Sequence, residues 1–215
     1  MRTRYLVLPI VAIILAGLIL CAVGCKPRQS AQSQPTPSAP LDLTEQFAAG
    51  ASNKYTPLGM TTAEILSHEN DQKDLVVGAL LWRLGKKSGQ RGWDNLSDAE
   101  RRLIAVDAMN EEVLDGGFNQ YFSTDLGDDV QVALAGLKDI KATGMAGILE
   151  RAIAQFPDGK IPTNYEQRVT VMAGIEAVAK PVWRKCDSEY YESKENLEAL
   201  ELAYAKMKRA EIVLP

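Results

Sequence analysis

Residues 97–122 read SDAERRLIAVDAMNEEVLDGGFNQYF, and this stretch decides the class of fold. Ser97 followed by Glu100 is the pattern of a capping box, which marks the beginning of an α-helix. Apolar side chains then recur at steps of three and four residues, as they do along one face of a helix: Leu103, Val106, Met109 and Val113. Gly116 and Gly117 are a stop signal for that helix. The spacing therefore predicts a helix that begins at Ser97 and ends just before the glycine pair.

The same periodicity continues along most of the chain. It predicts helices over residues 74–84, 97–114, 118–124, 128–141, 144–156, 165–179 and 193–209. We expect Gly85 to end the first of these helices and Pro181 to end the sixth. No stretch alternates apolar and polar residues as a strand would. The sequence thus predicts an all-α fold, a single compact bundle of about six to eight helices within residues 55–215.

The first 24 residues have the composition of a signal peptide. Two arginines precede an apolar run over residues 6–20, and small residues then lead to Cys25. This arrangement resembles the lipobox of bacterial lipoproteins, in which the cysteine is acylated and becomes the new N-terminus. We therefore expect residues 1–24 to be a lipoprotein signal peptide and Cys25 to carry the lipid. An uncleaved signal anchor is the alternative, and both interpretations predict an exported, membrane-anchored protein.

A polar, proline-rich segment follows Cys25. Residues 26–40 read KPRQSAQSQPTPSAP and contain no large apolar side chain, so they cannot bury a core. Residues 25–54 are therefore predicted to be a flexible linker between the lipid and the helical domain. With Cys25 lipidated and Cys21 cleaved away, Cys186 is the one remaining thiol, so no intrachain disulfide is predicted.

Residues 112–122, EVLDGGFNQYF, resemble the signature of a bacterial family of all-α domains that is named for a DNA-mimic protein. The resemblance covers roughly residues 94–206, and DSEYY at residues 187–191 matches a second element of the family. This chain departs from the pattern at Leu114-Asp115, where two asparagines are common, and in its export signal. The signature residues are Glu112, Gly116, Gly117, Phe118, Gln120, Tyr121 and Phe122.

Two interpretations of the signature stay open. In the first it is a structural corner, in which Phe118, Tyr121 and Phe122 fill the angle between two helices and Gln120 points outward or to a backbone carbonyl. In the second it is a binding site. The sequence alone does not choose between them.

Acidic residues are concentrated in the middle of the chain. Between residues 103 and 137 there is no Lys or Arg, whereas Glu112 and six further acids occur there: Asp107, Glu111, Asp115, Asp125, Asp128 and Asp129. These six are either a solvated face with acids at helix starts, or a docking surface for a basic partner. The net charge of the whole chain is -4, so direct nucleic-acid binding is not expected.

No catalytic constellation, metal site or cofactor site is predicted. His68 is the single histidine, and the sequence contains no phosphate-binding loop and no nucleophile elbow. The sequence therefore predicts a membrane-tethered, non-catalytic module that binds a protein or peptide partner. One alternative is an envelope enzyme with a pocket near Glu112, Gln120 and Tyr121. The resemblance implies another, a DNA-mimic-type binder of a basic DNA-binding protein, which export would separate from cytoplasmic targets.

Overall fold

A computed structural model describes residues 58–214, and that part of the chain contains seven α-helices and no strand. The predicted all-α bundle is therefore confirmed. The predicted signal peptide, Cys25 and the linker over residues 25–54 lie outside the described residues. The helices are α1 Thr62–Ser67, α2 Lys73–Arg91, α3 Asp98–Phe122, α4 Val130–Asp139, α5 Thr143–Ile153, α6 Tyr165–Tyr191 and α7 Leu197–Met207.

Helix α3 is the central element of the bundle. It contacts α2, α4 and α6, and its apolar stripe is buried in the core. The predicted capping box is present, because the Glu100 N–H donates to the Ser97 hydroxyl at 3.2 Å and the Ser97 N–H donates to Glu100 Oε2 at 3.0 Å. These bonds satisfy two backbone donors that the start of a helix leaves free. Local sequence therefore sets where the central helix begins.

The Glu100 carboxylate also anchors the C-terminal segment. It is fully buried, and Lys87 of α2 donates to both of its oxygens at 2.7 and 2.8 Å. The Val213 N–H donates to Glu100 Oε1 at 2.8 Å, and Lys87 donates to the Val213 carbonyl at 2.8 Å. One buried ion pair thus holds α2, α3 and the chain end together.

Helix α2 continues past Gly85, where the sequence predicted its end, and runs to Arg91. The prediction was wrong because a glycine inside a helix costs only about 1 kcal/mol relative to alanine. Lys87, two residues further along, is buried against Glu100 and holds the second half of α2 on α3.

Helix α6 likewise continues through Pro181, where its end was predicted, to Tyr191. A proline inside a helix costs about 3 kcal/mol, because it removes a backbone donor and crowds the preceding turn. Burial of the side chains beyond it offsets that cost: Trp183, Cys186 and Tyr190 are all in the core. The Trp183 indole N–H also donates to the Ala152 carbonyl of α5 at 2.9 Å.

Candidate functional site

The backbone of α3 breaks at Gly117. This residue has φ 76° and ψ −178°, a conformation that essentially only glycine adopts, so the predicted stop at the glycine pair is confirmed. The break separates the long first part of α3 from a final turn that begins at Phe118. A Cβ atom at residue 117 would lie 2.6 Å from Oδ2 of Asp187, so space as well as backbone conformation requires glycine.

Asp187 of α6 caps the turn that follows the break. Its Oδ1 accepts a hydrogen bond from the Phe118 N–H at 2.8 Å, which satisfies a donor that the break leaves free. Burial raises the pKa of Asp187, and the bond from Phe118 offsets part of that rise. Asp187 belongs to the DSEYY element and Phe118 to the signature, so the two family motifs meet in one joint.

The three aromatic residues of the signature are core residues. Phe118, Tyr121 and Phe122 are buried, and the ring of Phe118 packs edge-on against that of Tyr190 with centroids 5.8 Å apart. Phe122 contacts the rings of Phe156 and Trp183 at 5.3 and 5.6 Å. These rings occupy the corner between α3, α5 and α6, in the arrangement that the structural-corner interpretation predicts.

Gln120 lies across Gly116 and binds two acids of the preceding turns. Its Nε2 donates to Asp115 Oδ2 at 2.8 Å and to Glu112 Oε2 at 3.2 Å. Its side chain therefore bonds to carboxylates, and not to the backbone carbonyl that was one of the two predicted placements. A Cβ at residue 116 would lie only 1.9 Å from the Gln120 amide oxygen, so the first glycine of the pair makes room for this bridge.

An exposed surface adjoins this joint, and we name it the corner surface: Glu111, Leu114, Asp115, Asp187 and Tyr191. Leu114 is 55% exposed and Tyr191 is 51% exposed, both large side chains that could have been buried. The Tyr191 hydroxyl donates to the Val113 carbonyl at 2.9 Å, which places the phenol beside Leu114. Burial and then Asp187 and Asp115 raise the pKa of Tyr191, so these two carboxylates lie close to it.

The acids of the corner surface have no basic partner within the described part of the chain. None of the ion pairs found among residues 58–214 involves Glu111, Asp115 or Asp187. The surface therefore combines uncompensated negative charge with two exposed apolar side chains.

Asp128, another of the predicted acids, has a structural role. Its Oδ1 accepts from Arg168, which is 0% exposed and also donates to the carbonyls of Phe122, Thr124 and Pro162 at 2.7 to 2.9 Å. Arg168 thus ties the end of α3 to the start of α6. No sequence pattern indicated this role of Arg168, because a single arginine in a helix is usually solvated.

The other predicted acids differ from one another in their surroundings. Asp125 is exposed, whereas Asp129 is half-buried, and burial followed by Asp128 raises its pKa. Burial and Glu111 raise the pKa of Asp107 to about 6. The six predicted acids therefore do not form one uniformly ionised face.

The residues suggested for an enzyme pocket are engaged elsewhere. Tyr121 is a core residue whose pKa is raised by burial, and Glu112 accepts a hydrogen bond from Gln120.

Within residues 58–214 no group of three or more His, Cys, Asp or Glu side chains is placed to hold a metal ion. No helix in the same range is long and apolar enough to cross a membrane. Cys186 is buried, and burial raises the pKa of its thiol.

Comparison with known proteins gives one match. A family model described as DMP19-like protein matches residues 94–208, which is more than half of the chain and includes the signature, the DSEYY element and the corner surface. No curated protein and no solved structure matches the chain.

Proposed function

This chain belongs to the DMP19-like protein family, and we propose that its helical domain is a non-catalytic module that binds a basic protein partner through the corner surface. Family membership points to a DNA-mimic type of protein, which presents negative charge to a partner that carries positive charge. The family signature itself is buried or bonded within the joint. We therefore propose that the partner contacts the residues of the corner surface, which lie beside the signature.

The exposure of Leu114 and Tyr191 beside unpaired acids is the observation that carries this proposal. Protein interfaces place a few apolar or aromatic anchors at the centre and polar groups around them. Carboxylates around such anchors attract a basic partner over a distance and exclude acidic ones. The joint below holds both anchors on packed helices, so the surface is preorganised and little ordering entropy is lost on binding.

We further propose that the partner lies in the cell envelope. Under this proposal Cys25 carries the lipid, and residues 25–54 form a linker with an end-to-end distance of about 30 Å. The domain would then sample the space next to the membrane while it remains attached. A lipid-anchored domain of this kind recruits or retains its partner without chemistry of its own.

Charge reversal on the corner surface tests the binding proposal. We expect Glu111→Lys/Asp115→Lys to abolish co-purification of the partner from detergent-solubilised membranes. The matched control Asp125→Lys/Glu166→Lys makes the same change in net charge at two exposed acids outside the corner surface. Equal loss of the partner in both double variants would indicate a general charge effect and would refute the assigned surface.

A DNA-mimic binder of a cytoplasmic DNA-binding protein is the second candidate, and family membership favours it. The two candidates place the domain in different compartments. Protease accessibility in intact and permeabilised cells, compared between the native chain and Cys25→Ala, separates them. Membrane attachment that depends on Cys25 supports the envelope module, whereas a cytoplasmic domain supports the DNA-mimic candidate.

A further inference from the structure

Glu201 of α7 is a buried carboxyl group without a full set of hydrogen bonds. Its side chain is 4% exposed, and its Oε1 has no hydrogen-bond partner among the described residues. Burying an ionised carboxylate without a partner is strongly unfavourable, so such groups are usually paired or neutral. The burial of Glu201 without a partner therefore favours the neutral, protonated form of its carboxyl group.

The charged groups that act on Glu201 are themselves acids. Asp107 of α3 lies close enough to raise its pKa, as does Glu198 one turn earlier on α7. Burial is the largest cause, and together the three effects raise the pKa of Glu201 to about 8. Asp107 is in turn affected by burial and by Glu111. Asp107 and Glu201 are thus two acids on different helices, and Asp107 disfavours the ionisation of Glu201.

Other ionisable groups near these two acids form hydrogen bonds with other partners. On α6, the Tyr190 hydroxyl donates to Asn110 Oδ1 at 3.0 Å, and burial followed by Glu201 raises the pKa of this tyrosine. Glu195, in the turn before α7, accepts from the backbone N–H groups of Gly144 and Met145 at 2.9 and 2.8 Å.

Cations of the helices α2 and α3 bond to other groups. Arg102 of α3 pairs with Asp139 and interacts with the Tyr204 hydroxyl of α7. On α2, Arg83 donates through Nη2 to the Gly59 carbonyl while its Nε has no hydrogen-bond partner among the described residues, and Lys87 donates to Glu100. None of the ion pairs found among residues 58–214 involves Glu201, so a proton neutralises it more readily than a side chain does.

We propose that the buried carboxyl group of Glu201 holds a proton at neutral pH, and that loss of this proton loosens the packing of α7 on the domain. A carboxylate that is buried without a hydrogen-bond partner cannot ionise without a large desolvation cost, and the negative charge of Asp107 adds to that cost. That cost is relieved when α7 moves away from α3 and Glu201 reaches water. The inference concerns the C-terminal helix and is independent of the proposed binding partner.

The direction of the pH effect follows from the two states of the chain. In the unfolded chain Glu201 has the ordinary glutamate pKa of 4.5, whereas in the folded domain it keeps its proton to about pH 8. Between these values the folded state binds more protons than the unfolded state, so stability falls as pH rises. The stabilisation is complete below about pH 4.5 and is lost by about pH 8.

Urea unfolding of the full chain between pH 5 and 9 tests the proposal, because it measures how the free energy of unfolding changes with pH. We expect the wild type to lose stability across this range, and Glu201→Gln to remove much of the slope and to exceed the wild type at high pH. Glu198→Gln, an exposed acid on the same helix, is the matched control and should keep most of the wild-type slope. An unchanged slope in Glu201→Gln would overturn the proposal.

Hydrogen exchange of the unmodified protein gives a second test that needs no variant. After correction for intrinsic exchange, we expect the opening equilibrium of α7 to rise at least about tenfold between pH 6 and 8, because each pKa unit corresponds to a factor of ten. Helix α5, which carries no such group, is the internal reference. The same pH response in α5 and α7, or none in α7, would contradict the proposal.

Discussion

The carboxylate of Asp187 occupies the space that any side chain on Gly117 would need: its Oδ2 would lie 2.6 Å from a Cβ at residue 117. The same carboxylate accepts a hydrogen bond from the Phe118 N–H at 2.8 Å. The position of the Asp187 carboxylate therefore requires a glycine at residue 117, although the two residues are 70 positions apart in the sequence. This relationship explains why the break in α3 and a particular turn of α6 form one unit.

Gly117→Ala should be strongly destabilising. The positive φ of this residue costs a side chain about 1 to 3 kcal/mol, and the contact with Asp187 adds to that cost, so we expect a loss of at least about 2 kcal/mol. Urea unfolding measures it. Gly174→Ala is the control, because Gly174 lies inside α6 with open space around it. That substitution should stabilise the domain by about 0.5 to 1 kcal/mol. Similar effects of the two substitutions would argue against a specific requirement at residue 117.

Asp187→Ala should cost about 1 kcal/mol, the usual effect of removing a helix cap. Combined with Gly117→Ala, it should cost less than the sum of the two single variants, because removing the carboxylate also removes the clash with the new Cβ. A double-mutant cycle of unfolding free energies measures this coupling. Strict additivity would show that the two residues do not share the contact.

Arg168→Met should be among the most destabilising substitutions in the domain, with a loss of about 3 to 5 kcal/mol. It leaves three backbone carbonyls and Asp128 without their donor. Asp128→Asn keeps an acceptor at the same place and should cost only about 1 kcal/mol. Thermal unfolding of both variants checks the prediction. It fails if Arg168→Met is as mild as Asp128→Asn.

The features of the fold that could be predicted from sequence are those set by neighbouring residues. The capping box at Ser97 and the break at the glycine pair each depend on a few consecutive residues, and both are found in the structure. The ends predicted at Gly85 and Pro181 were wrong because packing across the bundle outweighs local helix propensity. The short α1 was not predicted, since six residues are too few to show a clear period.

The candidate site was only partly predictable for a related reason. The signature marked the joint, but nothing in the sequence indicated that Asp187 would cap Phe118 or that Arg168 would bind Asp128. The run of acids predicted one face, whereas folding pairs Asp128, half-buries Asp107 and Asp129, and leaves Glu111 and Asp115 exposed. The positions of acidic residues along the sequence do not determine which carboxylates remain exposed to solvent after folding.

The most direct test of the corner surface is site-specific photo-crosslinking in cells. A photoreactive residue at position 114 should give a covalent adduct with one basic protein, and Glu111→Lys/Asp115→Lys should abolish that adduct. The comparison position is Val178 of α6, which is apolar and 70% exposed but lies outside the corner surface, and it should not give the adduct. Adducts at residue 178 with the same protein in equal yield, or none specific to residue 114, would contradict the account.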